Sequence, residues 1–189
     1  MDWSKHLKVQ QAASAMMTGG VIAYPTESVW GLGCDPNNAH AVKRILTIKK
    51  RPAEKGLILV AANIEQFSPY LVDLSDSQLA QLQQTWPGPV TWLIPDIHHR
   101  VPHYIKGDFE TVALRVSSHP IIQALCTVFG GPIVSTSANP AGLLPAKSAM
   151  GVNRYFYSRI DYIAPGNTLN LPKPTEIRDL LTGAVHRAG

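Results

Sequence analysis

Residues 49–60 read KKRPAEKGLILV and hold a helix end, a basic bend and an apolar run. Pro52 disfavours the helical region for the residue before it, so we predict that a helix capped by Asn37 or Asn38 stops at Arg51. The apolar run that follows, Leu57 to Ala61, predicts a short buried strand. This alternation of helix, loop and strand recurs along the chain and is typical of an α/β domain.

The segment 49–56, called the basic loop below, concentrates positive charge. Between Lys43 and Lys55 the chain carries six Lys or Arg residues and a single acid, Glu54. An arginine fork beside lysine point charges suits a phosphate group, and loops on a rigid scaffold often carry binding groups. The alternative is a solvated basic helix end that complements the helix dipole, and the loop alone does not choose between the two.

The remaining elements follow from hydrophobic periodicity. Helices are predicted over residues 4–18, 76–85 and 147–155, with another beginning at 120. Strands are predicted at 21–24, 90–94, 111–116, 132–134, 162–163 and, at a sheet edge, 175–180. Residues 25–33 are interpreted as a structural turn and 95–110 as a polar loop. The pattern predicts one domain, 1–189, with an open mixed sheet flanked by helices and its sites at strand ends.

Composition bounds the classes of protein that this chain can belong to. A hydrophobic content of 45% over 189 residues is enough for one sizeable core. No apolar run approaches the length of a membrane span and no signal peptide is evident, so we expect a cytoplasmic protein without membrane association. Cys34 and Cys126 are far apart in sequence and are expected to be buried free thiols. The net charge of +4 favours an anionic partner, either a nucleotide or a nucleic acid.

Two further stretches carry candidate chemistry. Arg115 is embedded among apolar residues and requires a partner, which would be either a ligand or an internal acid. Residues 135–139 (STSAN) offer small hydroxyl and amide groups that could line an anion pocket at a strand end. There is no Walker motif, and the three histidines His98, His99 and His103 lack a Cys or Glu to complete a ligand set, so no metal site is predicted.

Six motifs then combine in one order: YPTE (24–27), KKRP (49–52), WPGP (86–89), ALRV (113–116), STSAN (135–139) and RAG (187–189). In this order and spacing the chain, from about Gly20 to Gly189, resembles the YrdC/TsaC family of threonylcarbamoyl-AMP synthases. The resemblance implies the family's twisted α/β fold around a positively charged cavity. It also implies the short, single-domain form, in which any function of an extra C-terminal domain is absent or supplied by another protein.

The resemblance implies an activity as well. Family members are nucleotidyltransferases that make threonylcarbamoyl-AMP and pyrophosphate from L-threonine, bicarbonate and ATP, with Mg²⁺ accompanying ATP. The product serves the N6-threonylcarbamoyl modification of adenosine 37 (t6A37) in tRNA. Implied partners are therefore the three substrates and the downstream threonylcarbamoyl-transfer proteins, with direct binding of tRNA or other RNA left open.

Site residues are carried over only where the motifs match. The family signature K-x-R…S-x-N falls on Lys49, Arg51, Ser137 and Asn139, which with Arg187 are implied to bind ATP, Lys49 and Arg51 being also the implied catalytic residues. Thr26 and Arg115 are implied to hold threonine, with Arg115 pairing its carboxylate. Thr175 stands where the family usually has a threonine-contacting serine, and Trp30 where a tyrosine is common.

Two alternatives to this function remain open at the level of sequence. An RNA-binding or ribosome-assembly module could use the same basic cavity for a backbone phosphate, although the aromatic and basic signatures of RNA modules are missing. A different ATP-dependent adenylating or carbamoylating enzyme would keep the ATP residues and lose the dependence on threonine. We also expect the basic loop to close over ATP, because a carbamate loses carbon dioxide readily in water.

Overall fold

The computed structural model describes residues 2–188, so Met1 and Gly189, the last residue of the RAG motif, lie outside it. One mixed sheet of nine strands organises these residues, in the spatial order β7-β1-β2-β6-β3-β5-β4-β8-β9. The strands are β1 Ile22–Pro25, β2 Trp30–Gly33, β3 Ile58–Ala61, β4 Val90–Pro95, β5 Thr111–Val116, β6 Ile133–Ser137, β7 Tyr162–Ile163, β8 Glu176–Asp179 and β9 Val185–Arg187. The predicted α/β class with a mixed sheet is confirmed.

Helices cover both faces of this sheet. They are α1 Leu7–Met17, α2 Ala39–Lys49, α3 Ser68–Leu71, α4 Asp76–Gln83, α5 His103–Lys106, α6 Pro120–Phe129 and α7 Ala149–Phe156, with short 3₁₀ turns at Trp3–Lys5, Ala53–Lys55 and Ile64–Phe67. Asn38 caps α2, its side-chain oxygen accepting the Ala41 N–H at 3.0 Å. The helix ends at Lys49, two residues before the predicted end, because Lys50 adopts a left-handed conformation with φ of 52°.

The two faces of the sheet bury separate apolar clusters. Along β1, Ala23 packs into the larger cluster with α2, whereas Ile22 and Tyr24 pack into a smaller one with α1 and α6. The same alternation occurs in β3, where Leu59 faces the first cluster and Val60 the second. A strand buried on both faces reads as a continuous apolar run, which is why β1 and β3 were predictable.

Strand β2 lies inside the stretch that the sequence predicted to be a turn, and that prediction was wrong. Its glycines explain both the strand and the missing signal. A Cβ at Gly33 would lie 2.5 Å from the Val134 carbonyl oxygen and 2.6 Å from the Tyr24 ring, so only glycine lets β2 fit there. Glycine is depleted in ordinary strands, so periodicity alone does not reveal this one.

Three other predictions are corrected by the structure. Strand β8 is not at an edge, because β4 pairs with it in parallel and β9 in antiparallel, leaving β9 as the edge strand. Residues 95–110, predicted to be only a loop, contain the short helix α5. Strand β6 also extends through the polar residues Ser135 to Ser137, beyond the predicted strand end at 134.

Cys34 and Cys126 are buried and free, as predicted. Within residues 2–188 the helices are too short or too polar to cross a lipid bilayer.

Candidate active site

A cavity of about 400 Å³ opens on the sheet beside the basic loop. Its wall is drawn from the turn after β1, the basic loop, β5, β6 and the two C-terminal strands. Six predicted site residues line it: Thr26, Arg51, Arg115, Ser137, Thr175 and Arg187. Residues far apart in sequence therefore meet around one space.

The cavity wall carries positive charge. Besides three arginines, Lys55 and Lys106 contribute to the lining, and no Asp or Glu occurs among the described residues that form it. Lys106 donates to the Asp96 carboxylate at 2.9 Å, and Arg115 lies 3.4 Å from the Glu27 carboxylate, so the unneutralised charge resides mainly on Arg51, Arg187 and Lys55. Such a field favours anionic ligands.

The Arg51 side chain stabilises the basic loop by hydrogen bonds to its carbonyl groups. Its Nε donates to the Gly56 carbonyl at 3.1 Å, and Nη2 donates to the carbonyls of Lys55 at 3.0 Å and Gly56 at 2.8 Å. Burial lowers the pKa of the Arg51 guanidinium, which nevertheless stays charged because an arginine titrates so far above neutrality. The side chain thus folds the loop and presents its remaining edge to the cavity.

Lys49 is buried behind the wall and is not among the residues that line the cavity. Its ammonium donates to the carbonyls of Ser137 and of Asn139, the latter at 2.8 Å. Burial lowers the pKa of Lys49 to about 7, and the charge of Arg51 acts in the same direction. In this conformation Lys49 ties the end of α2 to the end of β6.

Ser137 and Asn139 form a compact turn at the end of β6. The Ser137 hydroxyl donates to the Asn139 side-chain oxygen at 2.6 Å, while the Asn139 amide donates to the Leu143 carbonyl at 2.7 Å. Ser137 lines the cavity, whereas Asn139 supports it from outside the lining. Hydrogen bonds therefore connect Lys49, Ser137 and Asn139, and of the four signature residues Arg51 and Ser137 reach the cavity.

Arg115 and Arg187 converge on Thr175. The Thr175 hydroxyl accepts from Arg115 Nη1 at 2.7 Å and from Arg187 Nη2 at 3.3 Å. Arg187 also donates two hydrogen bonds to the Thr175 carbonyl, at 2.9 and 2.6 Å. With both guanidiniums donating to it, the hydroxyl keeps its own hydrogen free for an acceptor in the cavity.

Burial lowers the pKa of Arg187, with the neighbouring Arg115 charge adding to the effect. Two guanidiniums this close to one hydroxyl repel each other, and an anion placed between them would relieve that repulsion. Thr26 lies on the same wall, where its hydroxyl donates to the Val29 carbonyl at 2.7 Å and shapes the turn after β1.

A family model for the Sua5, YciO and YrdC proteins, described as "Telomere recombination", matches residues 14–189. The chain belongs to this family. The family resemblance found in the sequence is thereby confirmed.

Known members of the Sua5/YciO/YrdC family match over nearly the whole chain. The threonylcarbamoyl-AMP synthase of Cellvibrio japonicus is 52% identical over 187 residues, covering 99% of this chain and 98% of the relative. The protein of the same name from Saccharophagus degradans is 54% identical over 187 residues, covering 99% and 97%. The likeness therefore extends over nearly the full length of both relatives.

A solved family structure supports the fold. P. abyssi Sua5 complexed with L-threonine superposes with a TM-score of 0.83 at 34% identity, over 90% of this chain and 50% of that one. This chain spans about half the length of that Sua5 protein. The shared part contains the mixed sheet with its flanking helices.

The sequence analysis did not identify several residues that lie at the candidate site of this chain. Glu27, the acid of the YPTE motif, is buried 3.4 Å from Arg115, and Ser117, also buried, donates to Glu27. Lys106 contributes to the lining from α5, within the stretch interpreted as a loop. An embedded arginine signals that a partner is needed, but only the fold shows that Glu27 is placed to be one.

The histidines of residues 98–103 make no metal centre. His98 contacts Asp73, His103 contacts Asp108 and His99 contacts the Lys106 ammonium. Across residues 2–188 no group of three or more His, Cys, Asp or Glu side chains is arranged to hold a metal ion.

Proposed function

We propose that this protein is an L-threonylcarbamoyladenylate synthase, a nucleotidyltransferase that joins L-threonine, bicarbonate and ATP with release of pyrophosphate. Its product would serve t6A37 formation in tRNA. The observation that carries the proposal is the convergence of Arg51, Arg115 and Arg187 on one cavity. That convergence occurs in a chain about half identical, over its full length, to proteins named threonylcarbamoyl-AMP synthase.

Threonine is assigned to the end of the cavity formed by Thr26, Arg115 and Thr175. Arg115 would pair the substrate carboxylate, since a guanidinium fork matches a carboxylate in shape and charge. The free hydrogen of the Thr175 hydroxyl supports this assignment, because it can donate to the same anion. A threonine here keeps the hydroxyl of the serine usual in the family.

ATP is assigned to the basic loop, Ser137 and Arg187. Arg51 and Arg187, which both line the cavity, would neutralise phosphate charge, and Ser137 would donate a hydrogen bond. Lys49 and Asn139 would act by shaping this part of the site, since their polar groups bind the turn at the end of β6. Lys49 would bind ATP directly only if its ammonium left the two carbonyls.

The reaction needs orientation and charge neutralisation more than it needs a general base. The threonine amine first captures carbon dioxide or bicarbonate as a carbamate, and a carbamate oxygen then attacks the α-phosphorus of ATP. This nucleophile is already ionised at neutral pH, so no Ser-His-Asp set is required. Preorganised arginines would stabilise the charge that develops on the departing pyrophosphate.

Mg²⁺ is assigned to the substrate and not to the protein. The described lining of the cavity offers hydroxyl and cationic groups and no carboxylate, so it does not fit a protein-held Mg²⁺. We propose that the ion arrives with the ATP phosphates and shields their charge.

The test is pyrophosphate release from ATP by the purified protein, with threonine and bicarbonate omitted in turn. Release that requires both compounds is expected. Release without threonine would favour a different adenylating enzyme. No release from a folded protein that binds RNA with a steep salt dependence would favour the RNA-binding alternative, which the named relatives do not support.

Cellular partners stay predictions from the sequence. Delivery of the product to threonylcarbamoyl-transfer proteins, contact with tRNA and a cytoplasmic location are consistent with the proposed reaction.

A further inference from the structure

A buried acid lies behind the arginine that we assign to threonine. Glu27 is 1% exposed and Arg115 is 4% exposed. Glu27 Oε2 lies 3.4 Å from Arg115 Nη2, and the Ser117 hydroxyl donates to Glu27 Oε1 at 2.6 Å. The Ser117 oxygen in turn accepts the His119 N–H at 3.1 Å, which orients its hydrogen toward Glu27.

Glu27 is placed to act on Arg115 and not on a substrate. Arg115 lines the cavity, whereas Glu27 does not. Across residues 2–188 neither Glu27 Oε2 nor Arg115 Nε has a hydrogen-bond partner, so the contact between the two side chains is an ion pair without a full bidentate geometry. Breaking such a buried pair leaves the remaining charge without a counterion.

The guanidinium of Arg115 is thus held from two sides. Glu27 contacts Nη2 from behind and Thr175 accepts from Nη1. Without Glu27, repulsion from Arg187, which shares the Thr175 hydroxyl, would act unopposed on Arg115. The acid therefore both orients Arg115 and allows two arginines to share one hydroxyl.

We propose that Glu27 is a positioning residue for threonine, acting through Arg115 with Ser117 as its support. This inference rests on the proposed function. If Glu27 acted only through its charge, its removal would have the opposite effect and strengthen the attraction of Arg115 for a carboxylate. A positioning role therefore predicts weaker threonine binding when Glu27 loses its charge, whereas a purely electrostatic role predicts tighter binding.

The first experiment measures threonine binding by calorimetry, without turnover, for the wild type and for Glu27→Gln. We expect Glu27→Gln to weaken threonine binding about tenfold, the size of losing one well-placed contact. Ser117→Ala, which keeps the acid and removes its support, should weaken it by a smaller factor and serves as the second variant if Glu27→Gln does not fold. Unchanged or tighter binding in the folded variants would overturn the proposal.

Asp161→Asn is a control for the loss of an arginine ion pair elsewhere in the protein. Asp161 also pairs with an arginine, Arg44 at 2.7 Å, and accepts the Val21 N–H at 2.7 Å, but it lies outside the cavity lining. It should leave threonine binding unchanged. An equal loss in Asp161→Asn would mean that any lost ion pair weakens binding through general destabilisation, and would overturn the proposal.

The decisive comparison is a double-mutant cycle. If Glu27 acts through Arg115, then Glu27→Gln should have no further effect on threonine affinity in an Arg115→Ala background. In turnover assays the threonine KM should rise while the ATP KM stays within about twofold, whereas a purely structural defect would lower kcat with both KM values unchanged. Additive losses would overturn the inference. Wild-type protein that neither binds threonine nor turns over would refute the proposed function instead.

Discussion

At the scale of single residues, Arg51 both stabilises the basic loop and lines the cavity. Its side chain holds the carbonyls of Lys55 and Gly56, and its guanidinium lines the cavity. We expect Arg51→Ala to cost on the order of 2 to 4 kcal/mol of transition-state stabilisation, the size typical of losing one preorganised donor. The check is kcat/KM for pyrophosphate release together with a melting curve.

Arg51→Lys is the control for that variant. It keeps the charge but cannot donate to two loop carbonyls with one planar group, so it should recover only part of the activity. Full activity of Arg51→Ala with an intact melting curve would reject the role.

Lys49 should make stability depend on pH. Its pKa is lowered to about 7 by burial, well below the ordinary lysine value. Below pH 7 the folded and unfolded chains both hold the proton, whereas above it only the unfolded chain does until it titrates near 10.5. The contribution of Lys49 to stability should therefore rise with pH above 7.

The measurement is urea unfolding of wild type and Lys49→Met at pH 7, 8 and 9. The difference between them should shift in favour of wild type by on the order of 1 kcal/mol per pH unit, given about 1.36 kcal/mol for each unit of pKa. Lys43→Met removes an exposed lysine from the same helix and should show no such trend. A constant difference for Lys49→Met would mean that the two carbonyls keep its ammonium charged.

The basic loop and α5 should respond to substrates together at the scale of elements. The Leu57 N–H donates to the Ile105 carbonyl at 2.7 Å, and the Asp108 N–H donates to the Glu54 carbonyl at 3.2 Å. If the loop closes over ATP, hydrogen exchange should slow both in the loop and in α5 when ATP and threonine are added. Helix α6, on the other face of the sheet, should not change, and an unaltered loop would refute closure.

Gly107 permits this docking of α5 on the basic loop. Its φ is +68°, and a Cβ there would lie 2.4 Å from the Glu54 carbonyl oxygen. Gly130 has a similar φ of +88°, but a Cβ added to it would meet no atom within 4 Å. Gly130→Ala is therefore the control, since it introduces backbone strain without a steric clash. Gly107→Ala should lower kcat/KM severalfold more than Gly130→Ala. Equal losses would mean that the docking of α5 on the basic loop does not contribute to activity.

Elements with local signals were predictable, and those set by distant partners were not. Strand β5 has its predicted bounds because its apolar run is complete in itself. Strand β2 depends on a close approach of Gly33 to Tyr24, and the inner position of β8 depends on β9. These are tertiary facts that no local window contains.

The candidate site, too, was predictable only in part from the sequence. The family resemblance identified six residues that line the cavity, but it does not distinguish Ser137 in the wall from Lys49 and Asn139 behind it. The support of Arg115 was beyond reach, since Ser117 and Glu27 lie 90 residues apart in sequence. A buried arginine shows that a partner is needed, and only the tertiary fold brings Glu27 to it.

At the scale of the whole molecule, the cavity is formed by residues from both ends of the chain. Thr26 follows the first strand, while Arg187 is carried by β9, which pairs with β8 at the edge of the sheet formed by residues 2–188. A ligand that contacts both ends can bind only when the sheet is complete. Such a ligand stabilises the folded state by mass action.

ATP should therefore raise the melting temperature, and Arg187 should be needed for the full effect. At roughly a hundredfold excess over Kd the gain is about 2.7 kcal/mol, which for a domain of this length corresponds to roughly 5 to 10 °C. Arg187→Ala should lose most of this shift at the same ATP concentration, while its melting temperature without ATP stays close to wild type because β8 remains paired with β4. Scanning calorimetry with and without ATP measures both values. A full shift in Arg187→Ala would remove Arg187 from the ATP site and leave its contacts with Thr175 as its only role.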